Sequence, residues 1–281
     1  MTKDRALGSA LMLIAVLVGS ILLLVVGFLA RESWPALNEG PGAFFSASGW
    51  YPMEGRFGLL PMLWASLLIT AGAIALAAPL GLMNAIALRF FLPPGLAAGY
   101  RALLALLAGI PSVVIGLWGL VSLVPLIALW QPPGAGLLTA TLVLALMILP
   151  TVALTSSSAL HAVPSDWLRG SAALGLSRWG TITGVALPAA RQGIIGGMLL
   201  AMARAVGETL VVLMVAGNVV QMPSGLFDPV RTLTANIALE MAYAMDLHRS
   251  ALFVSGLLLV ALVTILALIA GRLGQGQVHA A

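Results

Sequence analysis

The sequence contains no cysteine, so neither a disulfide framework nor a thiolate metal site is open to it. Histidine is almost as scarce: His161, His248 and His279 are scattered and match no metal-ligand spacing. Charge is the third scarcity. Asp, Glu, Lys and Arg make up 8% of the 281 residues, far too little to coat a soluble domain of this length. No glycine-rich phosphate-binding loop with a following Lys and Ser or Thr is present, so any ATP-driven work must be powered from elsewhere. An enzyme working at a membrane surface would need clustered acids or a nucleophile with its base. The acids expected on the cytoplasmic side, Asp4 and Asp166, and the lone histidines do not supply them.

What fills the chain is apolar: 61% hydrophobic residues and a mean hydropathy of +1.10. Apolar runs long enough to cross a bilayer recur from end to end, which makes this an all-α integral membrane protein. Six spans are expected, at about Leu7 to Ala30, Leu59 to Leu92, Leu103 to Trp130, Leu137 to Ala159, Gly193 to Asn218 and Ala251 to Ala270. The second and third exceed the roughly 20 residues a span needs. Pro61, Pro79 and Gly81 in one, and Gly109, Pro111 and Gly116 in the other, predict kinks or interfacial turns. The first span is too long for a simple secretory signal and lacks a small-residue cleavage site, so it reads as an anchor.

Orientation follows from charge. Lys3, Arg5, Arg89, Arg101, Arg169, Arg178, Arg191 and Arg272 fall on one side, while Arg31, Arg56, Arg231 and Arg249 fall on the other. The positive-inside rule then puts both termini in the cytoplasm. The small basic excess, 13 Lys and Arg against 9 acids, is of this topological kind and calls for membrane lipid, not nucleic acid, as its surroundings. Residues 1–58 read as a first helix with an outer segment. Residues 59–281 read as a core of five spans with a cytoplasmic loop at 160–191 and an outer segment at 219–250. Within the latter, Thr232 to Met245 suits either a short helix or re-entrant segment, or a plain surface connector. Trp34, Trp50, Tyr51, Trp64 and Trp130 lie near expected interfaces, as an aromatic belt would.

Two features carry function. In the fifth span Arg204 and Glu208 are the only charges between Ile194 and Val215. Spacing of four residues predicts that they share a helix face and pair, near the bilayer midplane. One reading is an internal salt bridge that locks two helices; the other is a transport path, because charge in hydrocarbon is expensive and more often functional. A guanidinium suits an oxyanion through bidentate hydrogen bonds, and Glu208 would hold Arg204 while the site is empty. Asn84, Ser112, Thr151, Thr155 and Thr209 are further polar groups at membrane depth, with backbone bonding within the helix as the alternative use for the hydroxyls.

The second feature is the cytoplasmic loop. Ser165 or Asp166 is expected to cap a short helix, Gly175 to end it in a left-handed turn, and Ser177 to cap the next. Leu168, Ala172 and Leu176 recur at helical spacing and form a narrow apolar stripe, suited to a groove on a soluble partner or to lipid headgroups.

The residues of this loop carry a resemblance. Ala172-Ala173-Leu174-Gly175, with Trp179 four residues later and Leu187-Pro188 beyond, resembles the coupling loop of ABC importer permeases, which implies a type I, MetI-like fold. Arg169 stands where that family often has glutamate. Ala203-Arg204-Ala205-Val206-Gly207-Glu208-Thr209, Gly109-Ile110-Pro111-Ser112-Val113-Val114 and Thr232-Leu233-Thr234-Ala235-Asn236 are similar to blocks of the phosphate-specific permeases of the Pst system, C-type. The resemblance implies several expectations. This chain would pair with a homologous A-type phosphate permease, with two ATPase subunits holding ATP and Mg below and a periplasmic phosphate-binding protein above. Arg204 and Glu208 would contact the anion in transit, and Trp167, Leu168, Arg169, Ala172, Ala173, Gly175 and Trp179 would meet the ATPase. Sulfate or molybdate transport, and a membrane sensor or structural subunit, are the alternatives.

Overall fold

The computed structural model describes residues 2–47 and 49–275; Met1, Ser48 and 276–281, which include His279, lie outside the described residues. Helix α1 (Thr2–Asn38) runs past the expected span at both ends. The outer segment after it holds α2 (Pro41–Phe44) and a two-stranded antiparallel hairpin, β1 (Trp50–Tyr51) and β2 (Arg56–Phe57), with Trp50 opposite Phe57. Gly55 closes the hairpin at φ +68, a conformation that favours glycine. Helix α3 (Leu60–Ile86) opens with Pro61 in its first turn, where a missing N–H leaves no bond unmade, and ends in a π-turn at Ala87–Phe91.

The third span is not one kinked helix from Leu103. It begins at α4 (Pro94–Gly109) and bends by 89° before α5 (Ser112–Trp118), a π-turn at Gly119–Leu123 and α6 (Val124–Ala128). Pro111 is the cause: it lacks an N–H and drives Ile110 out of helical geometry to ψ 130. Helix α7 (Leu137–His161) accommodates Pro150 without ending. The cytoplasmic loop carries α8 (Ser165–Ala173) and α9 (Arg178–Thr181), and α10 (Leu187–Val206) continues from α9 through a π-turn. The fifth span therefore starts at Arg178 rather than Gly193 and stops at Val206. After a break the chain forms α11 (Leu210–Val215). The second outer segment contains α12 (Leu233–Glu240), a true helix whose first turn is capped by the Thr232 hydroxyl accepting from the Ala235 N–H at 3.2 Å. Helix α13 (Asp246–Gln275) completes the fold. Among the described residues five helices have the length and composition of a membrane span, and the bent pair α4–α5/α6 makes a sixth.

Close helix packing organises the core. Lipid offers no hydrophobic drive for helices to associate, so small residues that let backbones approach do that work. Gly72 lies against Thr141, Gly81 against Val152 and Gly197 against Thr155, each too close for an added Cβ. Around these contacts Ala65, Ile69, Ala73 and Ala77 of α3 pack with Ala140, Leu144 and Ile148 of α7 and with Ala201 and Ala205 of α10. Helix α1 sits outside this core along α13, with Phe28 edge-on to Phe253 at 5.6 Å.

Candidate functional site

The fifth span breaks between the two charged residues that the sequence singles out. Arg204 is in the last turn of α10, and Gly207 closes that helix with its N–H on the Ala203 carbonyl at 3.3 Å. Glu208 lies in the break. The i to i+4 relation holds only along a continuous helix, so the expected Arg204–Glu208 pair does not form. The Glu208 carboxylate instead accepts from the Val211 N–H at 3.2 Å, holding the first turn of α11, and its carbonyl accepts from the Thr234 hydroxyl at 2.8 Å. Arg204 is exposed on the surface of the chain, and among the described residues nothing bonds its guanidinium.

Ala205, Val206 and Glu208 surround a small cavity with Ser66, Ile69 and Thr70 of α3 and Thr232 and Thr234 beside α12. Ser66 to Thr70 lie roughly 9 to 15 Å along α3 from its first residue at 1.5 Å per residue, which puts the break well inside the span. That cavity measures about 10 Å³, room for about one water molecule. An oxyanion does not fit in it, so an anion would have to approach Arg204 from the open side.

The remaining polar candidates divide. Thr209 is at the break, with its hydroxyl on the Gly207 carbonyl at 3.3 Å. Ser112 starts α5 at the bend of the third span, and one turn later Gly116 packs on Val211 and Met214 of α11. Folding thus brings the two broken spans together. Asn84 belongs elsewhere: its amide donates to the Leu80 carbonyl and its oxygen accepts from the Tyr100 hydroxyl, tying α3 to α4 about 20 Å further toward the cytoplasm. Thr155 bonds back to the Thr151 carbonyl at 2.8 Å and packs on Gly197.

In the cytoplasmic loop the helix cap differs from expectation. Pro164 precedes the first turn of α8, and neither Ser165 nor Asp166 caps it; both are already inside the helix, where Asp166 favours the positive N-terminal dipole. Gly175 adopts the expected left-handed turn at φ +78. Its N–H reaches the Ala172 carbonyl at 3.0 Å and the Leu176 N–H reaches Ser171 at 3.2 Å, a Schellman ending. Ser177 caps α9 as expected, accepting from the Gly180 N–H at 3.1 Å. In the stripe Leu168 is half-buried, while Ala172 and Leu176 are exposed. The stripe lines a cleft of about 490 Å³ with Arg89, Phe90, Arg178 and Thr181 of the same chain. Trp167, Trp179 and Leu174 add to the exposed apolar surface of the loop, the last 84% exposed.

An outer polar network escapes the linear sequence. Glu240, only 7% exposed, accepts from the Trp50 indole N–H at 2.6 Å and pairs with Arg231 at 2.7 Å and His248 at 2.8 Å. Trp50 is thereby a buried anchor, not a member of an interfacial belt. Burial, and next the Glu240 charge, raise the pKa of the neighbouring Tyr243 above its ordinary value. The only signal in the sequence was the block Thr232 to Asn236, which marks the segment but not its partners. Further along this outer segment, the Ser224 hydroxyl, followed by the Ser224 and Gly225 N–H groups, holds the Asp228 carboxyl below the ordinary carboxylate range.

With this geometry established, comparison with known proteins is decisive for the family. The model of the binding-protein-dependent transport system inner membrane component matches residues 77–277. The chain belongs to that family. As a member it is a multi-pass inner-membrane permease, not itself an enzyme. It is 34% identical over 273 residues to the phosphate transport system permease protein PstC of Mesorhizobium japonicum, covering 89% of this chain and 82% of that one. It is also 36% identical to the probable ABC transporter permease protein YqgH of Bacillus subtilis, over 86% of this chain and 79% of the relative. Among solved structures, an inward-facing MetNI methionine ABC transporter superposes with a TM-score of 0.63 at 19% identity, covering 77% of this permease and 94% of that chain. A bacterial alginate ABC transporter in complex with its alginate-bound periplasmic protein gives 0.61 at 12% identity, with 94% of each chain covered. At such identities the last two speak for the fold alone.

Proposed function

We propose that this permease forms half of the translocation pathway of an ATP-driven importer of inorganic phosphate. The observation that carries the reading is Arg204: a guanidinium within a span, exposed on the chain and unbonded among the described residues, beside two spans that are both broken. An arginine facing lipid is costly, about 2.5 to 3.5 kcal/mol at the centre of a span, and that cost is relieved if Arg204 faces a second permease across a wet pathway. The homologous A-type phosphate permease is the proposed second half. Phosphate bears one to two charges and several acceptor oxygens, which a planar guanidinium meets bidentately.

Glu208 takes a different role from the one its spacing implies. Held by the Val211 N–H, it keeps the break open and sets a negative charge near the path, which opposes overly tight retention of the anion. A pathway must bind weakly enough to release. Thr209 and Ser112 are the remaining polar groups beside the breaks; Asn84 and Thr155 serve helix packing in this conformation.

ATP and Mg²⁺ would bind two ATPase subunits at the cytoplasmic loop, and a periplasmic phosphate-binding protein would deliver the anion from outside. Trp167, Leu174 and Trp179 are the loop's outward apolar surface and the proposed ATPase contact, with Arg169 exposed beside them and Gly175 setting the bend. Leu168 packs behind that surface, and the exposed Ala172 and Ala173 belong to the proposed contact. Changing Leu174 to Asp is expected to leave the permease folded and to weaken ATPase association by about tenfold or more, since burying a leucine is worth roughly 1.5 to 3 kcal/mol. Co-purification across an ATPase titration reads this out, and undiminished association removes Leu174 from the contact.

Guanidinium chemistry alone accommodates sulfate or molybdate as well; the PstC relatives favour phosphate. The test is ATP-dependent uptake of labelled phosphate by the reconstituted complex with sulfate as competitor. Phosphate uptake insensitive to sulfate is expected. Equal competition by sulfate would retain the transporter and reject the substrate.

A further inference from the structure

The outer network and the broken fifth span are joined by one short helix. Helix α12 is eight residues long, about 12 Å, and is held at both ends by side chains rather than by loop packing alone. At its start, the Thr234 hydroxyl donates to the Glu208 carbonyl at 2.8 Å, and the Leu233 N–H donates to Ser66 of α3 at 3.1 Å. At its other end, Glu240 receives Trp50 from the hairpin, Arg231 from the preceding loop and His248 from α13. Arg231 also donates through Nε to the Asn218 carbonyl at 2.9 Å, just after α11. The break that carries Glu208 is therefore connected to the hairpin by an unbroken series of bonds.

The hairpin is the exposed end of that series. Its tip holds Met53, fully exposed, and Tyr51, half exposed, while Trp50 and Phe57 behind them are buried against α12 and α13 with Leu233 and Leu252. A load on the tip reaches Glu240 through a rigid aromatic anchor. The network also contains two buried polar atoms without a partner, Asn218 Oδ1 and Asn236 Nδ2. Buried groups left unsatisfied are destabilising, so displacement of α12 against the Asn218 turn has bonds to gain.

We propose that α12 is a strut that carries contact of the outer binding protein at the hairpin to the Glu208 break, with Trp50 and Thr234 as positioning residues at its two ends and Glu240 as its node. The inference rests on the importer reading above and extends it to how the outer face signals to the membrane site. A strut of this kind differs from a stabilising staple in what it controls. A staple supports the permease at all times, whereas a strut matters only when the binding protein presses on it.

The test uses the assembled importer in lipid vesicles. ATP hydrolysis is measured with and without the binding protein loaded with inorganic phosphate. Trp50→Phe removes one N–H donor and keeps the ring; Thr234→Val removes one hydroxyl and keeps the shape. Both leave the Arg231–Glu240 pair in place. Each is expected to assemble normally, keep basal hydrolysis and lose about fivefold in the stimulated rate, the worth of one net hydrogen bond. The double variant should fall no lower than about the worse single one, because both cut the same connection. Stimulation unchanged in both variants, or basal and stimulated rates falling together, overturns the strut. A wild-type complex that neither transports phosphate nor responds to the loaded protein rejects the importer reading itself, before any variant is compared.

Discussion

Replacing Arg204 with alanine is expected to lower ATP-dependent phosphate uptake by about tenfold to a hundredfold, the loss that one charged hydrogen-bonding group implies at roughly 1.5 to 3 kcal/mol. Assembly should be unaffected, because the side chain makes no bond among the described residues. Lysine at the same position keeps the charge and loses the planar fork, so its uptake should fall between those of wild type and alanine. Initial uptake rates in vesicles, normalised to reconstituted complex, check this series. Full uptake by Arg204→Ala in an intact complex would move the anion path away from α10. Full uptake by Arg204→Lys would leave the charge in place and remove the bidentate contact.

The second large effect concerns packing. A Cβ on Gly197 would lie 2.2 Å from Thr155 Oγ1 and 2.7 Å from its Cβ, so Gly197→Ala must push α10 from α7. Overpacking of this kind costs about 1 to 3 kcal/mol. Thr155→Gly removes every offending atom, and the double variant should regain most of the loss. Gly196→Ala, one residue away with nothing within 4 Å of its Cβ, should change stability by no more than about 0.5 kcal/mol. Unfolding of the purified permease in detergent gives all four values. If the Gly197 and Gly196 variants behave alike, the close approach of α10 and α7 is wrong.

Gly197 and Thr155 also illustrate where sequence reading stops. Thr155 looked like a polar group at membrane depth, hence a candidate for the pathway. Its hydroxyl is satisfied by the backbone one turn away, and its methyl faces a glycine on another helix. Which hydroxyl faces a pathway depends on neighbours that are 42 residues apart in the chain at this contact, and hydropathy carries no information about them.

Arg204 and Glu208 show the same limit in sharper form. Their presence and their importance are legible, because charge is rare in such segments and expensive there. Their pairing was inferred from a continuous helix. Gly207 and the pull of Thr234 on the Glu208 carbonyl end that helix early, and the carboxylate turns to the Val211 N–H instead. In the third span the breaker itself is visible, since Pro111 cannot continue a helix, but the packing of α5 against α11 that follows the 89° bend is not.

Hydropathy along the chain is a one-dimensional property, and what it governs could be read directly: membrane insertion and the number of crossings, as could the glycine turn at Gly175 that needs only local backbone freedom. The family blocks were equally legible because they are contiguous. The Glu240 network, the cleft that Arg89 and Phe90 form with the cytoplasmic loop and the meeting of two broken spans were decided by tertiary structure. Each needs side chains from segments far apart in sequence to satisfy one another in a place from which water is largely excluded, and only the folded chain brings those groups within hydrogen-bonding distance.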